Sequence, residues 1–232
     1  MPIALNTSSS NSVLSQDKSL KLIVYFYKNP LLVVKLFHSL LNSASELISL
    51  NVKIIFYNDS PDDIQLCWEL EKCLRNKGAL NLTVITNFEN LGFIRSVNQG
   101  LEDAIRDGSD VLLLNSDAYI FPGTLTELSE IARLDPMIGF ISPRSNNATL
   151  CTVHTNKVAR GDPDLCFKEF QVLKKHFQRY SYVPTAVGFC LYIKVEILKN
   201  FGIFDSIYGH GYNEENDLIM RANSCGCTFV QN

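Results

Sequence analysis

The segment DVLLLN, residues 110–115, is the feature that most restricts how this chain folds. Its apolar run has almost no polar alternation, which is typical of a strand buried on both faces. Strands of that kind occur in parallel sheets with helices on each side, so the segment predicts an α/β fold. Directly after it come Asn115, Ser116 and Asp117, and a Pro-Gly turn follows at 122–123. A buried strand that ends on a carboxylate needs a physical reason.

Short apolar segments alternate with longer segments of helical period through residues 20–142. The predicted strands are LKLIVYFY (20–27), NVKIIFY (51–57), NLTVIT (81–86), DVLLLN (110–115) and IGFIS (138–142). The predicted helices are one from Pro30 with Leu32, Leu36, Leu40 and Leu41 on one face, one from Asp62 and Asp63 to about Lys77, one that stops at Gly108, and one from Gly123 to Leu134. This alternation predicts βαβ units and a mostly parallel sheet with right-handed crossovers.

After Pro143 the alternation weakens. Residues 143–183 are polar and contain RSNNAT, a GDPD turn and a basic helix candidate at 167–180. A long segment with little strand pattern inside a compact domain is more often functional than a plain connector. Regular order returns with VGFCLYIKVEILKNFGIFD at 187–205.

Composition restricts the class of partner. A chain of 232 residues that is 46% hydrophobic and 19% charged buries the core of one large domain or at most two small ones. Its net charge of -3 creates no field that attracts nucleic acid or an anionic membrane. An anionic ligand must therefore be held locally, by a metal or by backbone N–H groups.

Cysteine content and the first residues bear on the compartment. The seven cysteines are odd in number and lack CxxC pairs, which favours a reduced, cytosolic chain and small core residues. Cys225 and Cys227 lack a second pair at finger-like spacing, so a zinc site is disfavoured. Residues 1–19 are rich in Ser and Asn and predict a disordered leader rather than a signal peptide. The sequence contains no apolar run of the roughly 18 residues that a spanning helix needs.

Polar residues follow each strand of the first half, where ligands of open parallel sheets bind. These groups are residues 25–29, 58–60, 87–92 and 115–117. A lone Asp at a strand end is commonly a helix cap. No helix can begin before Pro122, however, so Asp117 is badly placed to cap one. A carboxylate free of that role suits Mg²⁺ or Mn²⁺ bridging to phosphate oxygens.

A second acidic cluster, Glu214, Glu215 and Asp217, lies in GYNEENDLIMRA. One interpretation is a helix with an acidic first turn and a surface ion pair between Asp217 and Arg221. The other is a catalytic group in which one acid serves as general base. Two glycines and two tyrosines flank the cluster, as a hinge and as candidate platforms for a sugar ring: Gly209, Gly211, Tyr208 and Tyr212.

The order of these pieces resembles the family 2 glycosyltransferases, especially bacterial-type members that act on cell-surface polysaccharides. The segments that carry the resemblance are NDSPDD, NxxNxGFxxxxNxG, LLNSDAYIFPG, PRSNNAT, VGFCLYI and FGIFDSIYGHGYNEENDL, within residues 20–231. The resemblance implies the GT-A fold, a Rossmann-like α/β three-layer sandwich with a mostly parallel central sheet. It also implies an inverting, metal-dependent transfer from a UDP- or dTDP-sugar to a glycan hydroxyl.

The same resemblance implies roles for individual residues. Residues 115–117 match the family's DxD position, where Asp117 would reach Mn²⁺ or Mg²⁺; Asn115 departs from that pattern and leaves fewer negative ligands. Glu214 and Glu215 match the family's acidic pair, with Glu215 the expected base and Asp217 the reserve. The expected nucleotide-sugar contacts are Tyr25, Tyr27, Asn58, Asp59, Asn90, Gly92, Asn98, Asn115, Ser116 and Gly188, with Asn58 or Asp59 at the nucleobase.

The resemblance also implies how the chain is divided and which partners it has. We expect one domain over residues 20–232, with a nucleotide-sugar half at about 20–142 and an acceptor and catalytic half at about 143–232. The expected partners are a nucleotide-sugar donor and a glycan or glycolipid acceptor, with no nucleic acid, in the cytoplasm and in polysaccharide biosynthesis. Acceptor contacts are expected from residues 143–183 and 208–213. Family members usually carry a further metal-binding His after the segment CTFVQN, so we expect the N-terminal domain of a longer protein, or His210 as a substitute ligand.

Two rival functions fit parts of the pattern. A nucleotidyltransferase would need a glycine-rich phosphate loop after the first strand, and YFYKNPLLV has no glycine. A catalytically inactive module that binds a nucleotide sugar or a glycan is supported by Asn115 and by the missing His. The three acids at 214–217 argue against that module.

Overall fold

A computed structural model describes residues 19–146, 152–153, 162–185, 187–209, 211–224 and 228–231. The strands are β1 (Leu20–Phe26), β2 (Lys53–Asn58), β3 (Asn81–Thr86), β4 (Asp110–Asn115), β5 (Ile138–Ser142), β6 (Ser181–Tyr182), β7 (Cys190–Ile193) and β8 (Thr228–Gln231). The helices are α1 (Pro30–Asn42), α2 (Ala44–Ser49), α3 (Ile64–Asn76), α4 (Phe93–Asp107), α5 (Thr124–Leu134), α6 (Pro163–Leu173), α7 (Val195–Phe201) and α8 (Glu214–Asn223). Short 3₁₀ turns follow at Lys174–His176 and Ser206–Tyr208.

The strands form one eight-stranded sheet in the order β3-β2-β1-β4-β7-β5-β8-β6. β3, β2, β1 and β4 are parallel neighbours, and β8 is parallel to β5. β7 runs antiparallel between β4 and β5, and β6 runs antiparallel to β8. The carboxyl ends of β1 to β4 therefore share one edge of the sheet, and β7 begins at that same edge.

Helices cover both faces of the sheet because side chains alternate along each buried strand. Leu22 and Leu112 belong to a core shared with α1, α2, α3 and α5. Ile23 and Leu113 belong to a second core shared with α4, α7 and α8. The predicted three-layer α/β sandwich with a mostly parallel central sheet is confirmed.

Most predicted elements of the first half agree closely with the structure. β3, β4 and β5 have the predicted limits, α4 ends at the left-handed Gly108, and α1 begins at Pro30. The buried face of α1 differs from the prediction: Val33, Leu36, Phe37 and Leu40 are buried, whereas Leu41 is 38% exposed. Leu36 and Leu40 are buried as predicted and Leu32 is half-buried, and the buried apolar set follows the i, i+3, i+4, i+7 spacing of a helix.

The helix predicted at 167–180 lies earlier in the chain. α6 begins at Pro163, because Asp162 caps it by accepting a 3.1 Å hydrogen bond from the backbone N–H of Leu165. Asp-Pro at this position is thus a helix start, with Pro in the first turn, where its missing N–H costs nothing. GDPD, expected from the sequence to form a turn, instead contains the helix cap Asp162 and the first helical residue Pro163.

Several predictions concern residues outside the described ranges. They are residues 1–18 of the leader, the end of RSNNAT, His210 and the Cys225–Cys227 pair. The described cysteines 67, 73, 166 and 190 are free thiols. Among the helices that the structure describes, none combines the length and apolar character that crossing a bilayer demands.

Helix α4 approaches β1 closely at Gly100. A methyl group at Gly100 would lie 2.6 Å from Cδ1 of Ile23 and 3.2 Å from Cε2 of Tyr57. All three positions lie within the core, so the neighbouring atoms have little room to move. Glycine at this position lets α4 pack directly against Ile23 of β1 and Tyr57 of β2.

We predict that Gly100→Ala and Ile23→Val are coupled. Alanine adds helix propensity of about 1 kcal/mol, but in the wild-type core its methyl group collides with Cδ1 of Ile23. Gly100→Ala should therefore be about 1 kcal/mol or more less favourable in the wild-type background than in the Ile23→Val background, measured by a double-mutant cycle of urea unfolding. Additive effects of the two substitutions would contradict the close approach.

Candidate active site

The pairing of β4 with β7 brings the two acidic segments together. The backbone N–H of Asn115 donates a 2.8 Å hydrogen bond to the carbonyl of Phe189. Gly188 precedes Phe189, and a methyl group at Gly188 would lie 3.4 Å from Oε1 of Glu215. The Asn-Ser-Asp segment after β4 and the acids at the start of α8 therefore lie at one edge of the sheet.

Asp117 lies exposed just beyond the end of β4, in a turn closed by the 3.1 Å bond from the N–H of Ala118 to the carbonyl of Asn115. It does not cap α5. Glu46 of α2 takes that role, accepting hydrogen bonds from the N–H groups of Gly123 (2.9 Å) and Thr126 (2.6 Å). Within the described residues, the carboxylate of Asp117 has no hydrogen bond or ion pair, so it remains available to a ligand.

The end of β4 and the turn after it supply a single carboxylate for a divalent cation. Over the described part of the chain, His, Cys, Asp and Glu side chains nowhere gather in threes as a metal cluster. Asp117 offers one uncommitted carboxylate, with the hydroxyl of Ser116 and the amide of Asn115 beside it in the chain. Mg²⁺ is commonly held by one or two carboxylates together with substrate phosphates, and this donor set fits that arrangement.

Glu214 and Glu215 open α8, and one oxygen of each carboxylate lacks a hydrogen-bond partner within the described ranges. Glu214 is 7% exposed, and Oε2 of each side chain is buried with no hydrogen-bond partner among the described residues. Burial raises the pKa of Glu214, the charge of Glu215 raises it further, and the backbone N–H of Glu214 opposes both. Buried acceptors without donors cost stability, and natural structures keep such groups mainly where function requires them.

The loop before α8 holds unusual backbone angles. Tyr212 and Asn213 have φ values of 73° and 78°, and the glycines at 209 and 211 also have positive φ. Consecutive non-glycine residues in this region store strain that the surrounding structure must offset. Tyr212 is 89% exposed at the tip of this loop, so its ring is accessible to a ligand.

Asp217 differs from its two neighbours. Its carboxylate accepts a 2.8 Å bond from Nε of Arg221, and the same guanidinium donates to the carbonyls of Phe201 and Ile203. The ion pair between Asp217 and Arg221, which was one interpretation of the acidic cluster, therefore exists. Of the three acids, Asp217 is the one that takes part in it. Glu214 and Glu215 remain free of it.

Asp59 is 0% exposed and binds four donors. Oδ1 accepts from Nδ2 of Asn87 (2.7 Å) and the N–H of Leu91 (2.8 Å). Oδ2 accepts from the N–H of Gly92 (2.8 Å) and the hydroxyl of Tyr25 (3.0 Å). Both oxygens are thus used to hold the loop between β3 and α4.

Tyr25 connects this network to α8. Its ring packs edge-on against Phe93 at 5.4 Å between centroids, and burial and the bond to Asp59 raise the pKa of its hydroxyl above the usual range. A methyl group at Gly211 would lie 3.7 Å from Phe93 and 3.8 Å from Oε2 of Glu214. Phe93 therefore lies between the residues after β2 and the acids of α8.

The other residues predicted to contact the nucleotide sugar differ in how far they are exposed. Asn58 is buried and bonds to Cys67 and Thr86, and the side-chain amide of Asn98 binds both the backbone N–H and the carbonyl of Phe204. By contrast, Tyr27 is 43% exposed, and Asn90 is exposed while accepting from the N–H of Gly92. Asn58 and Asn98 are thus used in contacts within the fold, whereas Tyr27 and Asn90 are exposed.

Two residues that shape this region lie outside the predicted groups, Phe93 and Glu46, whereas Asn87 lies within the predicted group 87–92 without a role assigned to it. Asn87 bonds to Asp59 and to Ser96, so it joins the loop to α4. Asn87 and Phe93 belong to the quoted pattern NxxNxGF, which was a usable signal. Glu46 lies on a short helix far from any motif, and only the tertiary structure shows that it caps α5.

Comparison of the sequence with protein-family models gives a match over most of the chain. The sequence model described as Glycosyl transferase family 2 matches residues 21–202. A search of curated proteins finds no match.

Solved structures share the fold at low sequence identity. Mannosyltransferase PcManGT from Pyrobaculum calidifontis, in complex with GDP-Man and Mn²⁺, is 15% identical with a TM-score of 0.67 over 94% of this chain. GalNAc-T7 with UDP, GalNAc and Mn²⁺ is 13% identical with a TM-score of 0.69 over 92%. S. aureus TarS 1-349 is 16% identical with a TM-score of 0.64 over 92%. The chain spans 55%, 42% and 58% of these proteins respectively, about half of their length.

We predict that Asp59→Asn loosens the loop between β3 and α4. The amide keeps one acceptor and turns an N–H₂ group toward bound donors, and a buried donor left unsatisfied costs roughly 1–3 kcal/mol. Hydrogen exchange at Leu91 and Gly92 should accelerate by roughly tenfold or more. Asp62→Asn, at an exposed position nearby, is the matched control. Unchanged exchange at both amides would show that Asp59 does not hold the loop.

We predict that Glu214→Gln changes how stability depends on pH. The pKa of Glu214 is raised in the fold above its ordinary value of 4.5, so the folded state binds more protons than the unfolded state between those two values. Its contribution to stability therefore falls as pH rises through that window and levels off above the folded pKa. Glu214→Gln should flatten this fall. In thermal unfolding, the difference in stability between the variant and the wild type should therefore shift in favour of the variant from pH 4 to pH 7. Parallel pH curves would contradict a buried, unpartnered Glu214.

Proposed function

The chain belongs to glycosyl transferase family 2, and from that premise we propose that it moves a sugar from a nucleoside-diphosphate sugar to a glycan hydroxyl with inversion. A UDP- or dTDP-sugar is the proposed donor class, and a glycan or glycolipid is the proposed acceptor. Two structural neighbours were solved in complex with GDP-Man and Mn²⁺ and with UDP, GalNAc and Mn²⁺, which supports a nucleoside diphosphate with a divalent cation. Polysaccharide biosynthesis in the cytoplasm is the proposed setting.

The single observation that carries this proposal is the position of Glu215. Its carboxylate has a buried, unpartnered oxygen and lies against Gly188, next to the strand pair that ends at Asn115. A general base must be within reach of a substrate proton and must not be neutralised by a partner. Glu215 meets the second condition, whereas Asp217 is bound to Arg221.

Glu215 would accept the proton of the acceptor hydroxyl as its oxygen forms a bond to the anomeric carbon. The bond from that carbon to the diphosphate breaks in the same displacement, and the electron pair leaves with the diphosphate. Attack from the face opposite the leaving group inverts the anomeric centre. Glu214, whose burial disfavours its charged form, would keep the charge near Glu215 low.

Asp117 would hold the metal, with Asn115 and Ser116 beside it. Bound Mn²⁺ or Mg²⁺ supplies Lewis-acid stabilisation of the negative charge that develops on the leaving diphosphate. Asn115 contributes no charge, so more of the coordination would come from the substrate's own oxygens. Asp59 would position the nucleotide end of the crevice by holding residues 87–92.

A second candidate function is an inactive module that binds a nucleotide sugar or a glycan. Asn115 at the DxD position and the lack of a metal cluster among the described residues favour it. The unpartnered, buried Oε2 atoms of Glu214 and Glu215 oppose it, because a binding module gains nothing from their cost in stability.

We predict that Glu215→Gln lowers turnover by about 10²- to 10⁴-fold, as removal of a general base typically does. The assay incubates the protein with a panel of nucleotide sugars, Mn²⁺ and glycan acceptors, and follows release of nucleoside diphosphate. Nucleotide affinity should stay within a few-fold, because Glu215 acts on the acceptor side. Asp117→Ala should instead weaken metal-dependent nucleotide binding.

Asp217→Asn is the matched control on the same helix, and its turnover should fall far less than that of Glu215→Gln. Equal turnover of the wild type and Glu215→Gln would refute the assignment of the base. Nucleotide-sugar binding by the wild type without turnover across the panel would favour the inactive module.

A further inference from the structure

Both polar atoms of the Asn98 side chain bind one residue on another element. Nδ2 donates a 2.9 Å hydrogen bond to the backbone carbonyl of Phe204, and Oδ1 accepts a 3.2 Å bond from the backbone N–H of the same residue. Asn98 lies in the second turn of α4, and Phe204, which is 2% exposed, lies between α7 and α8. The amide therefore joins two elements of the fold, and its two polar atoms are engaged without a nucleotide sugar.

The first residue of α4, Phe93, contacts the same part of the chain. The rings of Phe93 and Phe204 stack with 6.5 Å between centroids and 24° between planes. A methyl group at Gly211 would lie 3.7 Å from Cδ1 of Phe93 and 3.8 Å from Oε2 of Glu214. α4 therefore contacts the chain at Phe204 and again at Gly211, just before α8 begins.

Helix α8 holds the other side of this part of the chain. The guanidinium of Arg221 donates to the carbonyl of Phe201 and, at 2.8 Å, to the carbonyl of Ile203. Phe201 is the last residue of α7, where a helix leaves carbonyl groups without partners of its own and a basic side chain can bind them. Residues 201–204 are therefore held between Asn98 of α4 and Arg221 of α8.

Residues 205–213, which we call the approach loop, lead from this held segment into α8. The side chain of Asp205 accepts a 2.9 Å bond from the N–H of Ile207, and the N–H of Gly211 donates a 3.2 Å bond to the carbonyl three residues earlier. Both bonds lie inside the loop and do not fix it to the sheet. The position of the loop, and of the carboxylates that follow it, therefore depends on the anchor that α4 provides at Phe204.

We propose that Asn98 is a positioning residue for Glu215: by holding Phe204, it fixes the approach loop and so sets where α8 presents the general base. This inference rests on the proposed function for the role of Glu215, whereas the link from Asn98 to the approach loop stands by itself. Asn98 does not touch the reacting atoms in this account. The nucleotide-sugar contact that the resemblance implies for Asn98 is the alternative outcome of the test.

The next residue of α4, Gln99, provides a matched comparison. Its Nε2 donates a 3.1 Å bond to Oδ1 of Asn87, in the loop that Asp59 holds. Successive residues of a helix point about 100° apart, so the two neighbouring amides bind different elements. Asn98 thus links α4 to the approach loop, and Gln99 links the same turn of α4 to the loop between β3 and α4.

The test compares Asn98→Leu, Asn98→Asp and Gln99→Leu with the wild type. Leucine has a similar size and removes both hydrogen bonds of Asn98, whereas aspartate keeps the acceptor and loses the donor. Hydrogen exchange is followed at the amides of Phe204, Gly211 and Asp217. Calorimetric titration with UDP, dTDP and GDP in the presence of Mn²⁺ measures diphosphate affinity, and the diphosphate-release assay measures kcat. Thermal unfolding verifies that each variant folds.

Asn98→Leu should accelerate exchange at all three amides by roughly tenfold or more, because the approach loop loses its anchor. In Asn98→Asp the N–H of Phe204 keeps its acceptor, so exchange there should rise less than in Asn98→Leu. Gln99→Leu should leave exchange at Gly211 and Asp217 within twofold of the wild type.

Turnover should separate positioning from binding. Asn98→Leu should lower kcat by roughly 10- to 100-fold, since small displacements of a catalytic group have effects of this size, and should leave diphosphate affinity within twofold. In the Glu215→Gln background the same substitution should change the residual kcat less than twofold, because Asn98 acts through Glu215.

Weaker diphosphate affinity of Asn98→Leu with unchanged exchange would make Asn98 a nucleotide contact and overturn the positioning role. Equal exchange in Asn98→Leu and Gln99→Leu, or an equal loss of kcat with and without Glu215, would overturn it as well. A wild type that turns over no donor of the panel counts against the proposed function alone, because the exchange measurements still decide whether Asn98 holds the approach loop.

Discussion

The antiparallel pairing of β7 with β4 is the constraint on which the candidate site depends. β4 is buried on both faces and is therefore rigid, and the hydrogen bond from Asn115 to Phe189 fixes the start of β7 against its end. That contact places Gly188 under Glu215, although Asp117 and Glu215 are far apart in sequence. A parallel strand beside β4 would leave its carboxyl end, not its start, at this edge and could not present Gly188 there.

Two opposite electrostatic environments meet at this edge. Asp59 is buried with four donors, an arrangement that strengthens charge-assisted hydrogen bonds and makes its loop rigid. Glu214 and Glu215 each bury an oxygen without a donor, next to a loop with positive φ at Tyr212 and Asn213. The first arrangement stabilises the fold, and the second costs stability. Large apolar cores on both faces of the sheet offset that cost.

Patterns with a local cause were predictable from the sequence. The apolar run of β4 and the left-handed cap at Gly108 depend on neighbours in the chain, and both were predicted correctly. The start of α6 was missed because the cap made by Asp162 looks like an ordinary turn in sequence. The role of Glu46 and the division between paired Asp217 and unpaired Glu215 depend on contacts between distant elements. No spacing pattern in a single sequence distinguishes the paired carboxylate of Asp217 from the carboxylate of Glu215.

The most direct test of the central claim is a crystal structure of the protein with a nucleoside diphosphate and Mn²⁺, with anomalous data collected at the manganese edge. The account predicts an anomalous peak at the carboxylate of Asp117, bridged to the diphosphate, with Glu215 facing the open side where an acceptor hydroxyl would lie. A peak away from Asp117, or a nucleotide bound over β7 and β5 instead of β1 to β3, would contradict it.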